Sequence, residues 1–214
     1  MARGKTPVPE RPGLALEEQL WAEGLRRVAG LDEAGRGAWA GPVYAAAVVL
    51  PADARIVQLL AGVRDSKRMS AKQRSRWRDC ICAAAVDWAV GFSTNGEIDM
   101  LGIVTATCLA MTRALEGLKH QPQHLLVDYL TIPDCAFPQN GIAKGDAISL
   151  SIAAASVLAK TGRDAAMRAL EEEYVGYGFG RHKGYGTTQH RAALEARGLS
   201  AVHRRSFAPM KRMG

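Results

Sequence analysis

Four acidic side chains of this 214-residue sequence stand where apolar segments begin or end. They are Asp32, Glu33, Asp128 and Asp146. The first three end short apolar runs, and the fourth directly precedes a helical pattern over residues 147–158. Because an unpaired carboxylate is expensive to desolvate, acids in such positions need cations to compensate them. Carboxylate oxygens suit Mg²⁺ or Mn²⁺ rather than zinc, and two such ions roughly 4 Å apart promote in-line attack on a phosphodiester.

The first two acids run directly into the turn Gly35-Arg36-Gly37. A regular strand points successive side chains to opposite faces, so Asp32 and Glu33 share one site only if the chain bends there. The two glycines supply a permissive backbone for such a bend. On this stretch alone, an acidic strand end beside a solvated turn is the alternative interpretation.

Two other chemistries fit the surrounding sequence poorly. A dinucleotide-binding turn needs a helix after its glycines, whereas a strand-like run over residues 43–50 follows Pro42. A Ser/His/Asp triad would need a nucleophile elbow, and the sequence has none. Metal ligation by carboxylates is therefore the better account of the four acids.

The positive charge of the chain is concentrated in two segments. Of 28 basic and 21 acidic side chains, residues 181–214 hold eight basic ones and a single acid, so the other 180 residues balance at 20 of each. Residues 64–78 contain seven basic residues against one acid, with Trp77 among them. Two separated basic segments indicate a polyanionic partner, most often nucleic acid. For either segment taken alone, the solvated face of a helix is an equally good interpretation.

The composition is that of a soluble globular protein with one main domain, since hydrophobic residues make up 48% and charged residues 23%. The four cysteines lack CxxC spacing and are typical of reduced core residues. No apolar run is long enough to span a bilayer, so we expect a cytoplasmic protein without membrane association. We divide the chain into a lead-in with a short helix (1–26), a catalytic domain (27–175) and a C-terminal part (176–214).

The elements that must position the acids follow from periodicity and breakers. Strands are predicted at residues 28–32, 43–50, 86–94 and 125–128, with an edge strand near Ile142. Ser70 and Gln73 have the spacing of a capping box, which predicts a helix through the first basic segment to about residue 85. Asp146 is predicted to begin another helix, for which simple N-capping is an alternative role. Five glycines interleaved with aromatic and basic residues at 176–186 indicate a flexible loop that approaches a ligand rather than core.

Together these motifs resemble ribonuclease HII, the bacterial type 2 ribonuclease H. The matching stretches are residues 30–37 with 41–43, residues 65–67, residues 144–146 and 152–156 as far as Lys160, residues 182–187, and residues 203–207. They occur in the same order across residues 27–207, and together they are highly specific. The resemblance implies an α/β protein with a ribonuclease H-like fold, in which helices flank a mixed five-stranded sheet and a helical extension follows at the C-terminus.

The resemblance also implies a role for each matching position. Asp32, Glu33, Asp128 and Asp146 match the catalytic acids that bind two Mg²⁺ or Mn²⁺ ions. Gly35, Arg36 and Gly37 match the turn that reads the ribose 2′-hydroxyl, and Tyr185 matches the tyrosine that packs at the RNA–DNA junction. Lys67, with Ser66, is similar to the phosphate contact of the family, and Lys183 is a further substrate-binding candidate beside Tyr185. One departure is Tyr129, which follows Asp128 where glycine is common.

The function implied is that of a metal-dependent endoribonuclease, acting as a monomer on RNA in RNA–DNA hybrids and on single ribonucleotides in duplex DNA. It is expected to cut on the 5′ side of the ribonucleotide and to leave 3′-hydroxyl and 5′-phosphate ends. Two alternatives stay open from the residues. A same-fold nuclease such as a junction resolvase would share the acids, and a non-catalytic nucleic-acid-binding protein would explain only the basic segments.

Overall fold

The computed structural model describes residues 9–213, and its centre is a mixed sheet of five strands in the order β3-β2-β1-β4-β5. The strands are β1 Val28–Ala34, β2 Val43–Val49, β3 Asp87–Ser93, β4 His124–Asp128 and β5 Gln139–Ile142. The first three form an antiparallel meander, whereas β4 runs parallel to β1 and β5 runs parallel to β4. The predicted α/β fold with a mixed five-stranded sheet is thereby confirmed.

Ten helices surround the sheet in the described part of the chain. They are α1 Ala15–Ala22, α2 Ile56–Leu59, α3 Ala71–Ala84, α4 Asn95–Leu101, α5 Ile103–Glu116, α6 Gly145–Ile148, α7 Leu150–Glu173, α8 Phe179–His182, α9 Thr188–Arg197 and α10 Ala208–Lys211, with a 3-10 turn at Ser66–Arg68. One apolar core lies between the sheet and α5, and another lies between the sheet and α7 with α3. None of the described helices is both long and apolar enough to cross a membrane.

The long helix α7 lies unusually close to the centre of the sheet. An added Cβ at Gly30 of β1 would stand 2.2 Å from the Ser151 carbonyl carbon, so only glycine fits opposite the start of this helix. Ala153, Ala154 and Ala155 are fully buried on the same helix. Small residues on both elements therefore bring the backbone that follows Asp146 against the strand that carries Asp32.

Two local predictions have different outcomes. The capping box at Ser70 and Gln73 is present, and α3 begins directly after it. The prediction that Asp146 begins the long helix is wrong, because α7 begins at Leu150 and its N-cap is Ser149, whose hydroxyl accepts the Ile152 N–H at 3.2 Å. Ser149 has an extended backbone, so Asp146 lies in the separate four-residue turn α6.

The glycine-rich segment is not simply a flexible loop, and in this respect the prediction is wrong. Tyr177 and Phe179 are buried and stacked with ring centroids 5.2 Å apart, in a third apolar cluster that includes Leu194 of α9 and Met210 of α10. Positive φ angles at Gly176, Gly178 and Gly184 fold this segment back on itself. Of the lead-in and short helix assigned to residues 1–26, residues 1–8 lie outside the described part.

Candidate active site

Three of the four predicted acids meet where β1 loses its neighbour β4. The parallel pairing of these strands ends at Leu31 and Val127, while β1 continues beside β2 as far as Ala34. The sequence predicts a bend at Asp32, but the strand continues through this residue to Ala34. Carboxylate oxygens of Asp32, Glu33 and Asp128 nevertheless lie within 4.8 Å of one another across the opening.

Asp32 and Glu33 carry buried oxygens that no described residue satisfies. Asp32 is only 2% exposed. Its Oδ1 accepts the Glu33 N–H at 2.7 Å, but neither its Oδ2 nor Oε2 of Glu33 has a hydrogen-bond partner among residues 9–213. Burial, reinforced by repulsion from Glu33 and Asp128, holds the pKa of Asp32 well above its ordinary value. Orphaned carboxylate oxygens at this density are the donor set of a hard divalent cation, so these residues fit such an ion.

Asp128 and Asp146 are linked through the start of α6. The Gly145 N–H donates to Asp128 Oδ1 at 2.7 Å, which holds Asp128 against the turn that contains Asp146. Burial raises the pKa of both carboxyl groups, and repulsion from Asp128 raises that of Asp146 further. Asp146 is 8% exposed and stands next to the group of three acids without belonging to the 4.8 Å set.

Tyr129, the departure after Asp128, has a left-handed backbone with φ of 61°. Glycine adopts this conformation without strain, which gives a physical reason for glycine at such a position. The side chain of Tyr129 is 69% exposed, so its ring is not packed between the acids.

A cleft of about 550 Å³ opens beside Glu33. It is lined by Glu33, Ala34, Gly35, Arg36, Gly37, Ser66, Lys67, Arg74, Lys160 and Tyr185. The structure thus brings together the glycine turn, the Ser66-Lys67 pair and Tyr185, which are far apart in the sequence. Lys183 is not among the lining residues, because its ammonium group turns away to donate to the Gly180 carbonyl.

The cations of the cleft face its acids. Attraction by Asp32, Asp146, Asp65 and Glu33 together outweighs partial desolvation and raises the pKa of Lys67. Arg36 Nη1 lies 3.4 Å from Glu33 Oε1. This pairing leaves the other Glu33 oxygen available to a ligand.

Arg74 and Lys160 were not singled out as binding residues in the sequence. Asp164 of α7 joins them, with Lys160 Nζ at 2.6 Å from one carboxylate oxygen and Arg74 Nη2 at 3.1 Å from the other. The spacing of Lys160 and Asp164 along one helix face was visible as an i, i+4 pair. The approach of Arg74 from α3 depends on the tertiary fold alone.

Two buried arginines hold the glycine turn from behind. Gly35 has φ of 98°, and an added Cβ would stand 1.9 Å from Arg163 Nε, so only glycine fits here. The Arg163 guanidinium donates to the carbonyls of Pro42, Lys183 and Ala40. Arg204, which was counted in the basic C-terminal segment, is fully buried and donates to the Arg36 carbonyl at 2.8 Å. Arg204 therefore supports the turn from inside the fold and does not contribute to a surface that could bind a polyanion.

Comparison with known proteins agrees with this architecture. The family model for ribonuclease HII matches residues 29–210. The chain is 51% identical over 199 residues to ribonuclease HII of Myxococcus xanthus, covering 92% of this chain and 67% of the relative. It is 48% identical over 202 residues to ribonuclease HII of Dehalococcoides mccartyi, covering 94% and 95%.

Solved structures share the fold. Ribonuclease H2 from Pyrococcus horikoshii superposes with a TM-score of 0.72 at 25% identity, covering 87% of this chain and 96% of that one. Bst-RNase HIII in complex with Mn²⁺ superposes with a TM-score of 0.71 at 21% identity, covering 99% and 75%. The family match over most of the chain confirms the resemblance seen in the motifs, and the chain belongs to the ribonuclease HII family as an endoribonuclease.

Proposed function

We propose that the chain is a metal-dependent endoribonuclease that hydrolyses RNA in RNA–DNA hybrids and cuts 5′ of single ribonucleotides in duplex DNA. The products carry 3′-hydroxyl and 5′-phosphate ends. The observation that carries the proposal is the pair of buried oxygens, one on Asp32 and one on the cleft-lining Glu33, that have no hydrogen-bond partner in the described part of the chain. Buried charge of this kind is kept where an external cation compensates it.

Asp32, Glu33, Asp128 and Asp146 would hold two Mg²⁺ or Mn²⁺ ions. When bound, such ions activate a water molecule and stabilise charge on the phosphate under attack. The Mn²⁺ in the structure of Bst-RNase HIII, which has the same fold, supports the choice of ion.

The other cleft residues bind and orient the substrate. The ammonium group of Lys67, with Ser66 beside it, receives a phosphate next to the acids, and Lys160 and Arg74 receive the next one along the backbone. The backbone of Gly35, Arg36 and Gly37 bonds to the 2′-hydroxyl, the group that distinguishes ribose from deoxyribose. Neither contact depends on base identity, so cleavage is independent of sequence.

Tyr185 accounts for the recognition of a junction. Its ring is exposed at the cleft, and the Arg163 guanidinium lies 5.4 Å from the ring centre. We assign it to the deoxynucleotide that follows the ribonucleotide, where no 2′-oxygen obstructs packing against the sugar. All these groups come from one chain, so the enzyme is proposed to act as a monomer, in the cytoplasm where bacterial DNA is replicated and repaired.

A cleavage assay on duplex DNA with one embedded ribonucleotide tests the proposal. With Mg²⁺ or Mn²⁺ we expect a single nick on the 5′ side of the ribonucleotide, with a 3′-hydroxyl that a DNA polymerase extends. Chelation by EDTA should abolish the nick, and an all-DNA duplex of the same sequence should stay intact. Cutting of all-DNA branched substrates would indicate a junction resolvase instead. Binding without cutting would indicate a non-catalytic nucleic-acid-binding protein.

A further inference from the structure

Three buried histidines behind Tyr185 have no part in the chemistry proposed above. They are His182, His190 and His203. The rings of His182 and His190 are stacked with centroids 4.4 Å apart, and Nε2 of His190 lies 3.0 Å from Nε2 of His203. Three imidazoles in such contact require a defined set of protonation states.

The hydrogen-bond partners fix the tautomers of two of these rings. The Ser200 N–H donates to His203 Nδ1 at 2.9 Å, so the ring proton of His203 is on Nε2 and is donated to His190 Nε2. The proton of His190 is then on Nδ1, which donates to the Tyr185 carbonyl at 3.0 Å. A one-way chain of hydrogen bonds therefore runs from Ser200 to Tyr185.

Burial keeps this chain uncharged. It lowers the pKa of His190 to about 4 and also lowers the pKa of His203, so both rings are neutral near pH 7. A neutral pair allows only one donor between the two Nε2 atoms. The direction of the hydrogen bonds is consequently set at physiological pH.

The residues next to Tyr185 are held as firmly from other directions. His182 Nδ1 accepts the Gly184 N–H at 3.2 Å, and the Trp39 N–H donates to the Gly184 carbonyl at 2.8 Å. An added Cβ at Gly184 would stand 2.5 Å from the Ala40 carbonyl oxygen. The backbone of residues 184–185 is thus fixed, while the Tyr185 ring remains 36% exposed at the cleft.

We propose that His190, oriented by His203, is a positioning residue that sets the placement of Tyr185 and thereby the preference for a single ribonucleotide over a continuous hybrid. The inference rests on the junction role proposed for Tyr185. Packing of the Tyr185 ring on one sugar depends on where the ring is held, because a misplacement of about 1 Å in an enzyme site costs up to about 10²-fold in rate. Cleavage of a continuous hybrid, which does not need this packing, depends on it less.

A matched pair of substitutions at one position tests the proposal. The amide of asparagine overlies the Nδ1 side of a histidine, so His190→Asn keeps an N–H for the Tyr185 carbonyl. The amide of glutamine overlies the Nε2 side, so His190→Gln keeps the interaction with His203 and removes the one with Tyr185. The measurement is the ratio of kcat/KM on the single-ribonucleotide duplex to that on a hybrid. We expect His190→Asn to keep this ratio and His190→Gln to lower it by about tenfold or more.

Three further variants make the outcome decisive. Leu194→Ala opens the same apolar cluster without touching the Tyr185 carbonyl, so it should lower Tm and leave the ratio unchanged. If His190→Gln does not fold, His203→Asn takes its place as the test. It keeps an acceptor for the Ser200 N–H, removes the donor to His190, and should lower the ratio. An unchanged ratio in His190→Gln and His203→Asn, or an equal fall of the ratio in Leu194→Ala, overturns the proposal. Tyr185→Ala distinguishes a failure of the positioning role of His190 from a failure of the junction role of Tyr185. If this variant leaves the ratio unchanged, the junction role itself is wrong.

Discussion

At the scale of single residues, the main feature of the site is that its acids are buried although burial disfavours a charged carboxylate. Asp32 is held in the sheet by β1; one of its oxygens accepts the Glu33 N–H, and the other has no hydrogen-bond partner in the part of the chain that the structure describes. Lys67 and Arg36 line the cleft, and neither they nor any other residue from 9 to 213 donates a hydrogen bond to this oxygen. The free protein therefore carries a cost at Asp32 that a bound divalent ion removes.

This cost predicts the behaviour of Asp32→Asn. The substitution keeps the shape and removes the charge, so we expect cleavage to fall by at least about 10³-fold while duplex affinity is unchanged or tighter, because a negative charge near phosphate is absent. Thermal unfolding gives a second measurement. Mn²⁺ should raise the Tm of the wild-type protein, as any ligand of the folded state does, and should raise that of the variant much less. Near-normal turnover of the variant at saturating Mg²⁺ would contradict the assignment.

At the scale of elements, the two basic segments are not equivalent. The segment around α3 surrounds a pocket of about 310 Å³ whose lining includes Arg11, Arg64, Arg68 and Trp77. This pocket lies beside the cleft, since Lys67 of the same 3-10 turn lines the cleft itself. In the C-terminal segment, by contrast, Arg204 and Met210 are buried in the fold. Removing the residues after Gly198 would therefore damage the core and would not report on charge alone.

Substitutions test the charge more cleanly than truncation. Removing one cation that neutralises a phosphate should reduce the slope of log K against log salt by about 0.9. We expect Arg64→Gln with Arg68→Gln to flatten the slope for duplex binding by up to twice this amount. Lys119→Gln is the control for each single charge removed: Lys119 is exposed beyond α5, on the face of the sheet opposite α7, so its substitution should leave the slope unchanged. A slope unaffected by the double substitution would show that the duplex does not reach this pocket.

At the scale of the whole molecule, the C-terminal part is joined to the catalytic sheet by buried polar groups. Arg204 donates to the carbonyls of Gly41, Arg36 and Pro42, and His203 pairs with Ala40 in an isolated β-bridge. Folding of this part therefore places His190 and His203 out of water. The division of the chain into a catalytic domain (27–175) and a C-terminal part (176–214) stays a prediction.

The buried histidines predict a dependence of stability on pH. The pKa of His190 is about 4 in the folded protein against 6.5 for an ordinary histidine. Between these values the unfolded chain binds a proton that the folded chain does not, so the stability is complete above pH 6.5 and is lost as the pH falls towards 4. The loss amounts to about 3 kcal/mol for a shift of this size. The buried acids of the cleft act with the opposite sign, so the measurement is the difference in urea unfolding between the wild type and His190→Asn across this range. Parallel curves for the two proteins would contradict the prediction.

Much of the site could be predicted from the sequence because its signals are local. Acids at the ends of apolar runs, glycines on both sides of an arginine, and a capping box at Ser70 depend on residue type and short spacing. The resemblance to ribonuclease HII rested on the same short motifs, and the family match and the mixed sheet agree with it.

Tertiary structure alone decided which of these residues meet and which are withdrawn from water. Three acids approach within 4.8 Å because β1 extends past its pairing with β4, a register that no local pattern encodes. Arg204 and His203 lie in a basic stretch that is typical of a solvated surface, yet both are buried. The Arg204 guanidinium donates to the Gly41 carbonyl, and His203 forms a β-bridge with Ala40, both about 160 residues away in the sequence. Local patterns determine which elements form, whereas long-range packing determines the dielectric around each charge and hence the role that it plays.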